Sequence, residues 1–212
     1  MFSQKLNDLK KTIEAINTEK REITIVGVTK YTEIPQINST VNGLLKDLAE
    51  NRVQRLVELK AQNTNAKLHL IGHLQTNKAK QAVASADLIQ SVDSLKVLLE
   101  ISKEAKKINK IQDILVQVNI AHEDAKFGVY ENEAVYLINR AFEAENINIC
   151  GLMTIMPFEF NEENYKKMEY FYNECKVFHP ELKILSMGMT NDFETAIRYG
   201  SNMIRVGSYL FK

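Results

Sequence analysis

At 212 residues, with 27 basic and 27 acidic side chains, the chain has the length of one domain and carries no global field that would draw it to nucleic acid or an anionic membrane surface. Its two cysteines, Cys150 and Cys175, lie far apart and outside any CxxC spacing, which argues against a disulfide framework or a zinc site and fits a reducing cytoplasm. The segment Met1 to Arg21 is polar and mixed in charge, unlike a signal peptide, and no apolar run approaches the ~18 to 20 residues of a membrane span; a soluble, cytoplasmic protein is expected.

Leu6, Leu9, Ile13 and Ile16 recur at helical spacing, which predicts an amphipathic helix at the start. The run Ile23-Thr24-Ile25-Val26-Gly27-Val28-Thr29 follows as a buried strand closed by Lys30. A second strand is expected over 44–49, although Leu44-Leu45-Lys46-Asp47-Leu48 also suits a helix. Further strands are expected over 67–72, 87–91, 113–119, 147–153, 183–187 and 202–206, several of them rich in β-branched residues, as in Ile114-Leu115-Val116-Gln117-Val118. Between them, Leu95, Leu98, Leu99 and Ala105 mark one helical face, and Ala134, Leu137, Ile138, Ala141 and Phe142 another. The lysines from Lys103 to Lys110 read as solvated helix faces. Eight strands alternating with helices, with no Gly/Pro-rich linker, predict an α/β fold: a single TIM-type (β/α)8 barrel domain over 1–212, preceded by the N-terminal helix. A doubly wound open sheet is the alternative.

In such a barrel the carboxyl ends of the strands build the site, and phosphates often bind after strands 7 and 8. Ser186-Met187-Gly188-Met189-Thr190-Asn191-Asp192 and Arg205-Val206-Gly207-Ser208 fall at those two places. Gly188 lets backbone approach an anion, Thr190-Asn191 is placed to cap a helix beginning near Asp192, and Gly207-Ser208 offers a second donor set. A turn and an N-cap without any ligand is the plain alternative. Lys30, at the end of an apolar strand, is expected at the barrel mouth, partly desolvated and close to other cations, which favours a nucleophilic amine. Arg205 lies between Ile204 and Val206 in the last strand and needs a carboxylate or a ligand acceptor. His69 and His73 flank a strand end rather than a helical turn, so hydrogen bonding or packing is expected of them, and no metal site.

The chain resembles the pyridoxal 5′-phosphate homeostasis proteins, a family similar to an isolated alanine-racemase barrel. The resemblance runs through Val28-Thr29-Lys30, Glu50-Asn51-Arg52-Val53-Gln54, Leu70-Ile71-Gly72-His73-Leu74-Gln75-Thr76-Asn77-Lys78, Gln117-Val118-Asn119-Ile120, Lys126-Phe127-Gly128 and Gly151-Leu152-Met153-Thr154-Ile155. Leu185 to Asp192 and Ile204 to Ser208 carry it most specifically. It implies a fold-type III barrel holding pyridoxal 5′-phosphate, with Lys30 forming the internal aldimine. The Met189-Thr190 turn and Gly207-Ser208 would hold the phosphate, Arg205 would face the pyridine nitrogen, and Asn51 would touch the cofactor from the second strand's end. His73 and Gln75 are assigned to the pocket wall. Three departures stand out: Ala49 where relatives usually have Gly, loosening backbone approach; Tyr31 after the lysine, altering the mouth; and Phe211-Lys212 where relatives usually continue, which bears on terminal ordering.

The implied function is intracellular cofactor homeostasis by storage, buffering or delivery, without substantial catalytic turnover. The expected protein is a monomer, with apo-enzymes as candidate recipients. A charged arginine beside the pyridine nitrogen disfavours ring protonation and weakens the ring as an electron sink. An amino-acid racemase, which in two-domain relatives completes its opposite face from another domain, and a Schiff-base lyase acting on a phosphorylated metabolite are the alternatives.

Overall fold

Eight short parallel strands close on themselves in the order β1 to β8 in the computed structural model, which describes residues 2–41, 43–62, 64–159 and 161–212. In chain order the elements are α1 (Phe2–Ile16), β1 (Thr24–Val28), α2 (Ile37–Val41), β2 (Asp47–Glu50), α3 (Val53–Ala61), β3 (Lys67–Leu70), α4 (Ala79–Ser85), β4 (Leu88–Val92) and α5 (Leu95–Lys107). They continue as β5 (Gln112–Val118), α6 (Glu131–Glu143), β6 (Ile147–Thr154), α7 (Glu162–Phe178), β7 (Ile184–Met189), α8 (Phe193–Arg198), β8 (Met203–Val206) and α9 (Ser208–Phe211). The barrel closes where β8 pairs with β1, Ile204 opposite Ile25 and Arg205 opposite Val26. All eight expected strands are present. Leu44 to Lys46, the ambiguous stretch, is neither helix nor strand, and pairing begins at Asp47.

Alternation along each strand sorts the side chains into two cores. Val26, Val28, Ala49, Leu88, Leu115, Met153 and Met203 fill the barrel interior. Their outward neighbours, among them Leu48, Ile114, Ile204 and Val206, pack under the helices in a larger shell. In α1, Leu6, Leu9 and Ile13 are buried as their spacing requires. The same shell holds both chain ends, with the Phe2 and Phe211 rings 5.3 Å apart. The C-terminal segment is therefore packed, and Ala49 is fully buried inside the barrel.

Two helical faces differ from expectation. Val97, Leu98, Ile101 and Ala105 form the buried stripe of α5, while Leu99 is exposed. Ala134, Leu137, Ile138 and Ala141 are buried in α6, but Phe142 lies outside them and stacks on His179 at 4.4 Å. A period of 3.6 leaves adjacent residues about 100° apart, so the second of two neighbouring apolar residues often falls off the stripe. Lys110 is not on a solvated face either: its amine donates to the Val83 and Ala86 carbonyls at 2.7 and 2.5 Å, and burial pushes its pKa down. It satisfies carbonyls at the end of α4. Burial likewise pushes the thiols up, Cys150 to about 12 and Cys175 to about 11. Among the described residues, no helix is long and apolar enough to cross a membrane.

Candidate functional site

The carboxyl ends of the strands surround a cavity of about 430 Å³, the size of a small-ligand site. Lys30, Asn51, Met189, Thr190, Arg205, Gly207 and Ser208, distant in sequence, all line it. His73 lines it too, but Gln75 does not; Gln75 is exposed and precedes the short turn Thr76–Lys78.

Lys30 leaves the end of β1 in a turn and is exposed, not partly desolvated as expected. Its Nζ lies 5.0 Å from the centre of the Tyr31 ring. Among the described residues the amine has no hydrogen-bond acceptor or carboxylate partner. The turn itself is braced from below. Glu50, fully buried at the end of β2, accepts from the Thr29 hydroxyl at 2.6 Å and from both Nε and a terminal nitrogen of Arg55 at 3.1 Å. That same terminal nitrogen of Arg55 donates to the Thr29 and Thr32 carbonyls at 3.2 and 3.0 Å, one on each side of Lys30. The hydrogen bond to Glu50 is the main reason the Arg55 pKa is raised. The sequence points to neither residue for this role, except that a carboxylate closing an apolar strand signals a nearby cation.

Asn51 follows Glu50, and its carbonyl packs so closely on Gly72 that a Cβ there would lie 2.0 Å from the oxygen. Beside it, His73 Nδ1 sits 2.8 Å from Asp93 Oδ2 and its ring stacks on Phe127 at 3.9 Å. His69, by contrast, is buried inside the barrel between Asp47 and Gln90. Lys126, the other lysine around the cavity, donates to the Met156 carbonyl at 2.9 Å. Gln117 gives its amide nitrogen to the Phe127 carbonyl at 2.9 Å. Its buried amide oxygen finds no partner among the described residues.

The late loops differ in detail from the expected cap. Gly188 has φ +94°, a conformation for which a side chain is unsuited, and an added Cβ would stand 2.5 Å from Ala196 Cβ. Asp192, not Thr190 or Asn191, occupies the cap position of α8, and its carboxylate turns back to accept from the Met189 N–H at 2.6 Å and the Tyr165 hydroxyl at 2.8 Å. Met189 lines the cavity, but its N–H is already given to Asp192. Thr190 faces the other loop, its Oγ1 3.5 Å from the Tyr209 N–H. At Gly207 a Cβ would reach Val28 and its carbonyl at 3.3 Å, so backbone closes that side of the cavity.

Arg205 is 3 % exposed, and its two terminal nitrogens donate to Ser186 Oγ at 2.6 Å and the Thr154 carbonyl at 2.7 Å. Among the described residues no carboxylate pairs with it. Burial lowers its pKa to about 10, and Asp192 partly offsets that, so the guanidinium stays charged at neutral pH. Among the described residues, a buried cation with no carboxylate in direct contact, a lysine amine with no hydrogen-bond acceptor, an orphaned amide oxygen and two loop backbones thus share one cavity. These groups fit a phosphorylated aromatic aldehyde with a ring nitrogen.

Residues 5–212 match the family model described as alanine racemase, N-terminal domain. A pyridoxal phosphate homeostasis protein of Aquifex aeolicus is 33 % identical over 99 % of this chain and 95 % of its own length. A protein of the same name from Helicobacter pylori strain 26695 is 33 % identical over 100 % and 98 %. The structure of PipY from Synechococcus elongatus PCC7942, with PLP bound, is 25 % identical and superposes with a TM-score of 0.87 over both whole chains. An alanine racemase of Clostridium difficile 630 shares the fold at a TM-score of 0.81 and 19 % identity, over 99 % of this chain and 55 % of the racemase.

Proposed function

The chain belongs to the alanine racemase N-terminal domain family, among the pyridoxal phosphate homeostasis proteins, and on that premise we propose that it binds pyridoxal 5′-phosphate covalently through Lys30 and stores, buffers or delivers it. The observation that carries the reading is the meeting, around one cavity, of a lysine amine without a hydrogen-bond acceptor and a buried arginine without a carboxylate in direct contact, both among the described residues. The bound cofactor supplies an aldehyde that condenses with a primary amine and a pyridine ring that accepts electrons. Lys30 offers the amine, and the Tyr31 ring flanks it at 5.0 Å. Thr190, Gly207 and Ser208 hold the phosphate with hydroxyl and backbone donors, Met189 supplies an apolar wall, and Asn51 closes the rim. Arg205 faces the ring nitrogen and, being cationic, keeps it unprotonated. Because Lys30 is exposed, an amine from solution or from an apo-enzyme can replace it at the mouth. One domain, 1–212, carries the whole site; we place it in the cytoplasm, as a monomer, where two burial-suppressed thiols stay reduced.

The phosphate assignment predicts that pyridoxal without its phosphate binds far more weakly than the phosphate ester. Thr190→Ala should cost the ester on the order of 1 kcal/mol, since one hydroxyl donor is lost. Titrations of both ligands into both proteins check this, and equal affinity for the two ligands would remove the cradle from these loops.

A racemase reading draws on one feature, the His73–Asp93 pair at the rim, which is an oriented acid/base. Chiral analysis after long incubation of the cofactor-loaded protein with several amino acids separates the two readings. We expect no inversion at an enzymatic rate, while an apo-enzyme mixed with the loaded protein regains activity faster when free amine is added. Inversion at about 1 s⁻¹ or more, lost in Lys30→Ala, would make the protein an enzyme.

A further inference from the structure

Arg205 is held by a hydrogen-bond chain that crosses the barrel interior. Its NH1 group donates to Ser186 Oγ at 2.6 Å, and the Ser186 hydroxyl donates to Gln90 Oε1 at 2.8 Å. Gln90 Nε2 lies 2.8 Å from His69 Nδ1, and His69 Nε2 lies 3.1 Å from Asp47 Oδ1. Ser186, Gln90 and His69 are at most 1 % exposed. Asp47 opens β2, away from the carboxyl ends that form the cavity, and its side chain is 17 % exposed.

The direction of the chain is fixed at both ends. A guanidinium only donates and a carboxylate only accepts, which fixes the two end bonds, and with a neutral His69 the bonds between them all point from Arg205 toward Asp47. The His69 tautomer protonated on Nε2 satisfies both of its contacts, and the Gln90 amide has one orientation that fits. Gln90 Nε2 also contacts Met203 Sδ at 3.3 Å, which the reversed amide would give up. Donors aligned in series polarise one another, so Ser186 Oγ becomes a stronger acceptor than an isolated hydroxyl.

We infer that Ser186, Gln90, His69 and Asp47 are positioning residues, which fix Arg205 against the ring nitrogen of the ligand with no carboxylate in direct contact with the guanidinium. A carboxylate placed directly on Arg205 would hold it as firmly but spend its charge there. The relay gives fixed geometry and leaves the positive charge facing the cavity. The inference rests on the assignment of the cavity to pyridoxal phosphate.

The test compares affinity for pyridoxal phosphate with affinity for its ring-carbon analogue, in which C–H replaces the pyridine nitrogen. The wild-type protein should prefer the nitrogen ligand by on the order of tenfold, the scale of one hydrogen bond from a charged donor. In Gln90→Leu and in Ser186→Ala that preference should fall toward unity while affinity for the carbon analogue holds. Melting temperatures recorded alongside separate this from damage to the barrel, because a merely structural role lowers stability, and with it both affinities, in parallel. An unchanged preference in both variants, or a parallel loss of both ligands, overturns the inference. Equal binding of the two ligands by the wild type overturns it as well and leaves the proposed function standing. Failure of the wild type to take either ligand refutes both.

Discussion

Lys30→Ala is expected to abolish the pyridoxyl adduct that borohydride reduction leaves on the cofactor-loaded protein, with the fold unchanged. The amine is exposed at the end of the β1 turn and, among the described residues, meets the Tyr31 ring, so its removal opens no core cavity. An exposed cation–π contact is worth about 0.5–1 kcal/mol, and at this chain length that corresponds to a melting shift of roughly 1–4 °C. Loss of the adduct, by contrast, should be complete. The competing lysine at the cavity, Lys126, has its amine committed to the Met156 carbonyl. Thr190, Gly207, Ser208 and Arg205 are untouched in this variant, so residual reversible binding driven by the phosphate should survive. Peptide mass mapping after reduction reads the result. An adduct found mainly on Lys126 or Lys78 in the wild type, or undiminished labelling of Lys30→Ala, would displace Lys30 from its role.

The barrel was legible because each strand announces itself locally. β-branched and apolar residues fill runs bounded by polar helix-forming segments, and parallel neighbours require the helices between them. Lys30 and Arg205 were legible for a related reason, since a charge at the end of or inside an apolar run has to be explained. What stayed hidden depends on side chains meeting across the fold. Ser186 and Gln90 are 96 residues apart and touch only because β7 and β4 face each other through the barrel interior. The Met189 N–H looked available for an anion, but Asp192 folds back onto it, a turn geometry that Thr190-Asn191-Asp192 does not reveal. Leu99 and Phe142 were placed on buried faces from their neighbours' periodicity, which fixes a stripe's direction but not its edges. Lys110 read as one more surface lysine because its acceptors, Val83 and Ala86, belong to the preceding helical unit.

Arg55→Leu should be damaging, for stability more than for chemistry. Among the described residues, it leaves the fully buried Glu50 carboxylate with the Thr29 hydroxyl as its remaining side-chain donor. Removing one partner of a buried ion pair typically costs about 3–5 kcal/mol, because the other charge stays behind without compensation. The Arg55 side chain is 27 % exposed, so water reaches part of the vacated space and the lower figure, about 3 kcal/mol, applies. For a chain of this length that lowers the melting temperature by roughly 6–12 °C. Arg55→Lys should fall between the two proteins, since an ammonium restores the charge but cannot fork between Glu50, Thr29 and Thr32. Combining Glu50→Gln with Arg55→Leu should recover part of the loss, because no buried charge is then stranded. A double variant no more stable than Arg55→Leu alone would mean that hydrogen bonds to the Lys30 turn, rather than the stranded carboxylate, set the cost. Thr29 and Thr32 bracket Lys30, so both single variants should also slow trapping of the Lys30 adduct without preventing it, as a loosened turn still presents the amine but no longer holds it at the cavity.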